Sequence, residues 1–277
     1  MKHRLEYIAL RLIMGLFGLL PYSWASAFGG FLARVIGPFT KANKTAKHNL
    51  QLCLPSHDGC TKQIWDNLGR TAAELPHLRK FKAEDITKNI TIEGEDILDA
   101  ATKEGAIFVS AHLANWEIIP RLAAWRDTKS LMIYRAANNK LSDNYINKLR
   151  AHQMLEFATK SRAGMVKAVK YLKAGDSIGL LMDQKLNNGI ECSFFGHKAM
   201  TTSSPAELAA KFNKPIVPIF IRRDEGCKTK FIIKVYEPIK VAQDEVIKTT
   251  QHLNDLLQDW VSKYPNNWFW VHNRFSK

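Results

Sequence analysis

Cysteine is scarce in this chain. Among 277 residues there are only Cys53, Cys60, Cys192 and Cys227, and no two form a CxxC pair. That is too few for a disulfide scaffold, so the four read as free thiols of a reducing compartment. No internal repeat or low-complexity linker divides the sequence, and at this length one globular domain with an appendage is expected. Also missing are a GxSxG nucleophile elbow, an HExxH zinc helix, a Walker A loop and a GxGxxG fingerprint, so no metal and no cofactor is called for. Acidic residues are in deficit, 26 against 40 lysines and arginines, which gives a net charge of +14. Such a balance favours an acidic partner: nucleic acid, anionic lipid headgroups, a phosphorylated substrate or an acidic carrier protein. With no recognised nucleic-acid module and no compact basic run interleaved with aromatics, no nucleic acid is expected among the partners.

Charge is absent altogether from Leu12 to Ala33, a stretch long enough to raise a transmembrane helix. Three readings compete. A secretory signal fits Lys2, His3 and Arg4 ahead of an apolar stretch and "ASA" at Ala25 to Ala27, but Glu6 and Arg11 sit early in it and nothing downstream looks secreted. A single span is interrupted by Pro21, which removes a backbone donor. The piece before it, Tyr7 to Leu20, reaches about 21 Å at the helical rise, against about 30 Å of hydrocarbon. Basic residues flank both ends: Lys2, Arg4 and Arg11 before, Arg34, Lys41, Lys44 and Lys47 after. The positive-inside rule draws both ends to one side. The favoured reading is therefore two short helices lying in one leaflet, a membrane-associated helical anchor over residues 1–45, with the main domain over 46–277.

Downstream the hydrophobic period alternates. Lys62 to Phe81 reads as an amphipathic helix, followed by strand Ile90 to Ile92, helix Glu95 to Lys103, strand Ala106 to Ala111, helix Trp116 to Trp125, strand Leu131 to Tyr134 and helix Leu141 to Met154. Helix Met165 to Lys173, strand Ile178 to Leu181, helix Pro205 to Phe212, strands Ile216 to Ile221 and Phe231 to Tyr236, and helix Asp244 to Tyr264 complete the series. Strands alternating with helices predict an α/β fold, a mostly parallel central sheet covered by helices on both faces. Ligands of such sheets sit at the carboxyl ends of the strands. "IFVSAH" ends in His112, "LMIYR" in Arg135 and "IGLLMDQ" in Asp183 and Gln184, so a base, a cation and a carboxylate meet at one rim.

Within "HLANWE", His112 and Glu117 are five residues apart. On a continuous helix that is about 500°, so the two would face apart. Across a strand-to-helix turn the carboxylate can instead reach one imidazole nitrogen, fix the tautomer and leave the other nitrogen as a general base. The competing reading is a satisfied core histidine beside a solvated glutamate.

"HLANWE" resembles the "HxGNWE" motif of the late acyltransferases of lipid A biosynthesis, the lauroyl and myristoyl transferases within the H-x-x-x-x-D/E glycerolipid acyltransferase superfamily. The resemblance extends through "YRAANN", "SRAGM", "LLMDQ", "SFFGHKAMT", "SPAELA" and "PNNWFWVHNR". The family usually has proline where this chain has Ala136, glycine at Ala114 and glutamate at Gln258; none of these removes a reacting group. The resemblance implies transfer of a fatty acyl group from acyl carrier protein to a hydroxyl of a Kdo-bearing lipid A precursor. The step belongs to lipopolysaccharide biosynthesis at the bacterial inner membrane, with the catalytic domain facing the cytoplasm and held by anionic lipid. His112 is then the base and Glu117 its orienting carboxylate. Arg135 holds an oxyanion or a phosphate, Asp183 and Gln184 position, and Arg162 approaches a phosphate. Trp268, Trp270, His272 and Arg274 form either an interfacial patch or a core anchor, and "FFG" is a loop near the acyl chain or packs beneath itself. The alternatives are a related glycolipid acyltransferase of the phosphoinositol mannoside type using acyl-CoA, and a non-catalytic membrane-surface binding protein.

Overall fold

The computed structural model describes residues 1–275. Apolar runs rich in β-branched residues, such as "IFVS" and "IVPIFIRR", become strands that are buried on both faces, as parallel sheets require. A seven-stranded sheet results, in the order β1 (Ile90–Glu93), β9 (Phe231–Val235), β8 (Ile216–Arg223), β2 (Ile107–Ser110), β5 (Ser177–Leu181), β3 (Ser130–Tyr134) and β4 (Leu155–Thr159). All neighbours pair in parallel except β8 with β9. This is the mostly parallel α/β architecture expected.

Helices α6 (Glu95–Glu104), α7 (Ile119–Trp125), α8 (Lys140–Arg150), α9 (Arg162–Lys173), α10 (Ser204–Phe212) and α11 (Val246–Lys263) follow or connect the strands. Three features depart from the periodicity. The helix expected to Met154 stops at Arg150, and edge strand β4 follows it, its alternation hidden by the short polar-apolar mix "LEFAT". A hairpin, β6 (Ile190–Phe194) and β7 (His197–Thr201), turns over Phe195 and Gly196 at φ +51° and +74°. That is the left-handed pair of a tight hairpin turn without the usual Asn-Gly signature. Short helix α5 (Ala83–Asn89) precedes β1.

At the N-terminus, α1 (Lys2–Leu19) and α2 (Tyr22–Ile36) meet at Pro21, and α3 (Lys41–Cys53) runs without a break across residue 45. No described helix is long and apolar enough to cross a membrane. Helix α2 packs on α4 (Thr61–Leu78) glycine to glycine: a Cβ on Gly29 would stand 2.6 Å from the Gly69 carbonyl oxygen, and one on Gly69 would stand 2.2 Å from that of Gly29. Only backbones without side chains approach so closely. The opposite side of α1 and α2 is apolar and exposed, with Leu5, Leu12, Leu16, Trp24, Phe31 and Val35 among its residues.

Candidate active site

Strands β2 and β5 are neighbours in register, Ser110 opposite Leu181. Continuing that register by two residues places His112 opposite Asp183. The His112 backbone N–H donates to Asp183 Oδ2 at 2.9 Å, and its ring Nδ1–H donates to Oδ1 at 2.7 Å. A third donor, Trp268 Nε1–H, reaches Oδ2 at 2.8 Å. Burial alone would raise the Asp183 carboxyl, but the His112 charge and these hydrogen bonds outweigh it and hold the group well below the usual carboxylate range. Asp183 is therefore ionised and acceptor-only, which keeps a proton on Nδ1, so that in the neutral imidazole the free lone pair is on Nε2. The ring packs against Trp116, 5.0 Å away centroid to centroid, and Phe269, at 5.5 Å, which also touch each other at 5.8 Å.

Glu117 does not take the place expected of it. Its carboxylate accepts from Arg150 Nε at 2.7 Å, from Arg150 Nη2, and from Trp116 Nε1 at 3.1 Å. The turn explains why. The expected helix from Trp116 begins as a 3-10 turn over Trp116–Ile118, capped by the Asn115 side chain, and this aims Glu117 at the end of α8. Burial would raise the Glu117 carboxyl, but the Arg150 charge and hydrogen bonds prevail and lower it.

The loop between His112 and this turn is held from behind. Ala114 has φ +44°, a left-handed conformation that glycine adopts without strain. Its carbonyl accepts from Thr71 Oγ1 at 2.6 Å and its N–H donates to the Asn267 carbonyl at 2.8 Å. Asn115 Nδ2 donates to Glu74 Oε2 at 2.7 Å. Glu74 is in turn gripped by both terminal nitrogens of Arg223, at 2.7 and 2.9 Å, and accepts from Ser26 of α2 at 2.6 Å. This buried network was not anticipated. Its signal was the spacing of Asn67, Thr71 and Glu74, one polar stripe on the buried face of α4.

His112, Glu117, Arg135 and Gln184 line a cavity of about 360 Å³ whose remaining walls are mostly apolar. Arg135 is exposed and, like Gln184, makes no hydrogen bond or ion pair among the described residues. Asp183 stands behind His112 rather than in the wall. Arg162 is exposed at the first turn of α9 and is not among the cavity's lining residues. Of the two readings of the C-terminal motif, the core anchor holds: Trp268, Trp270 and Arg274 are buried, and Trp268 completes the Asp183 cage. Phe194 packs on Trp268 and Phe275 away from the cavity, so "FFG" braces the C-terminus.

Residues 3–277 match the family of bacterial lipid A biosynthesis acyltransferases. No curated protein matches the chain. Among solved structures, the 1-acyl-sn-glycerophosphate (LPA) acyltransferase PlsC from Thermotoga maritima is similar with a TM-score of 0.43 and 15% identity, over 96% of this chain and 99% of that one. With the match running from the first helix to the C-terminal residues that cage Asp183, the chain belongs to the bacterial lipid A biosynthesis acyltransferases.

Proposed function

We propose that the protein moves a fatty acyl group from the thioester of acyl carrier protein to a hydroxyl of a Kdo-bearing lipid A precursor, at the cytoplasmic face of the inner membrane. The observation that carries this reading is an imidazole with its Nδ1 proton fixed by a buried carboxylate, on the wall of an apolar cavity. Nε2 of His112 takes the acceptor's proton as the oxygen attacks the thioester carbonyl. The tetrahedral oxyanion is stabilised by Arg135, a cation of the same wall that makes no ion pair among the described residues. On collapse the C–S bond breaks, and the imidazolium returns the proton to the departing thiolate. Asp183 holds the imidazole and stabilises its charged form. Glu117 acts by fixing Arg150 and the turn after His112. Gln184 positions the acceptor, and Arg162 lies on the outer surface, where it suits a phosphate or an acidic partner.

Two features support the membrane. Exposed apolar residues recur at Leu5, Leu12, Leu16 and Leu19 on α1 and at Trp24, Phe28, Phe31 and Val35 on α2, the stripe of a helix lying in an interface. Helix α1 also abuts the loop at the cavity, because Asn139 Nδ2 donates to the His3 carbonyl at 2.8 Å, and the preceding residue, Asn138, lines the cavity wall. Residues 1–45 thus serve as anchor and residues 46–277 as catalytic domain.

The test is acyl transfer by purified protein in detergent to a lipid A precursor, with acyl carrier protein or coenzyme A as donor and products read by mass spectrometry. A new ester formed from the carrier donor, weakening as added salt shortens the Debye length below about 10 Å, is expected. Equal, salt-independent use of acyl-coenzyme A would refute the carrier, and no ester from either donor would refute the acceptor.

A further inference from the structure

The floor of the cavity is a row of residues that the strand register places side by side. Phe108 of β2 lies opposite Gly179 of β5, Gly179 opposite Met132 of β3, and Met132 opposite Phe157 of β4. All four line the cavity. The row above it, toward the rim, contains Ser110, Leu181 and Tyr134. Phe108 is four residues before His112, about 13 Å deeper at the usual rise of a strand.

Gly179 is the gap in this row. A Cβ there would stand 2.7 Å from Met132 Sδ and 3.1 Å from its Cε, so the thioether lies in the space that the missing side chain leaves. Gly179 has no left-handed backbone to explain it, and glycine weakens a strand interior unless something must approach closely. What approaches is Met132, the most adaptable of apolar side chains. On its other side it packs against a cluster containing Ala123 of α7 and Leu155. Its row neighbours are Gly179 on one side and Phe157 on the other, and it is only partly buried.

We propose that Gly179 and Met132 together set the length of acyl chain the protein accepts, an inference that rests on the acyl-transfer reading above. The chain's methyl end reaches the Phe108–Gly179–Met132 row, and the thioether is the stop. Because Gly179 lets the stop lie flat on the sheet, the cavity keeps its full depth. Any side chain at position 179 lifts the thioether into the path. Shortening Met132 removes the stop. Each methylene that must be left out or newly fits changes relative preference on the order of tenfold.

The experiment measures kcat/KM over a graded series of saturated, even-numbered acyl donors for wild type, Gly179→Ala, Met132→Ala and the double variant. Binding of the corresponding free fatty acids is followed in parallel by thermal shift. Gly179→Ala is expected to move the optimum to shorter chains, with the ratio of long to short donors falling at least tenfold. Met132→Ala moves it to longer ones, and the double variant returns toward wild type because the new methyl then has room. The binding series shows the same order. Variants that lower every donor by one common factor, or a binding cut-off unmoved by both substitutions, would overturn the proposal. Wild-type protein that binds fatty acids with a sharp cut-off moved by both substitutions, yet transfers none of them, would uphold the stop while overturning the acyl-transfer reading.

Discussion

Glu117 faces the guanidinium of Arg150, and Asp183 faces the imidazole of His112. The first is a nearly buried ion pair, with side-chain exposures of 9% and 21%. Removing one partner of such a pair leaves a charge without compensation and destabilises by about 3–5 kcal/mol. Glu117→Gln should therefore lower the melting temperature, and Arg150→Leu added to it should recover most of the loss, since the two residues act as one unit. An orienting role on the imidazole would give the opposite pattern, with unchanged melting and lost turnover. Because the fold depresses the Glu117 carboxyl, its contribution is present above the unfolded value of about 4.3 and fades as pH falls through the folded one. Both carboxylates were legible in the sequence as site candidates, but their roles were not. Glu117 is near His112 in sequence, whereas Asp183 becomes its neighbour only because β5 lies beside β2, and nothing in the alternation of periods fixes strand order.

At the scale of elements, the C-terminal segment after α11 does more for the site than its position suggests. It supplies the third donor to Asp183, pairs Leu113 with Trp268 and accepts the Lys185 N–H on His272 Nε2 at 2.9 Å. Burial pushes the His272 imidazole down to about 4, with His112, Arg274 and Arg135 acting in the same direction and Asp183 against it. The fold therefore holds His272 neutral, while an unfolded chain protonates it near pH 6.5. The stability it protects is full above that pH and is lost as pH falls toward 4, on the order of 3 kcal/mol in total. Urea unfolding at pH 7 and pH 5 should show this decline, and His272→Asn, which keeps an acceptor but cannot titrate, should flatten it. An identical pH slope in the variant would show that His272 does not cause the decline. Aromatic residues in "NNWFWVHNR" announced burial or an interface; the choice between them needed the hairpin β6–β7 that covers them, itself hidden by an atypical turn.

For the molecule as a whole, the sheet apart from its edge strand β4 was readable from its apolar runs, and the N-terminal helices from Pro21 and the uncharged stretch. Unreadable was the side of those helices that docks. Gly29, Gly30 and Gly69 turn one side of α2 onto α4 and leave Trp24, Phe31 and Val35 outward. These exposed positions can be changed without cost to the core, so Trp24→Asp combined with Phe31→Asp should melt like wild type but no longer sediment with vesicles of anionic phospholipid. Retained sedimentation would show that some other surface holds the membrane. In the proposed reaction His112 and Asp183 act as one unit, and a double-mutant cycle on acyl transfer measures whether they do. Turnover of His112→Ala, Asp183→Asn and the double variant is measured where melting shows each to be folded. Each single substitution should lower turnover on the order of a hundred- to ten-thousand-fold, with the double variant no worse than His112→Ala. Near-normal turnover in folded His112→Ala, or losses that multiply in the double variant, would contradict it.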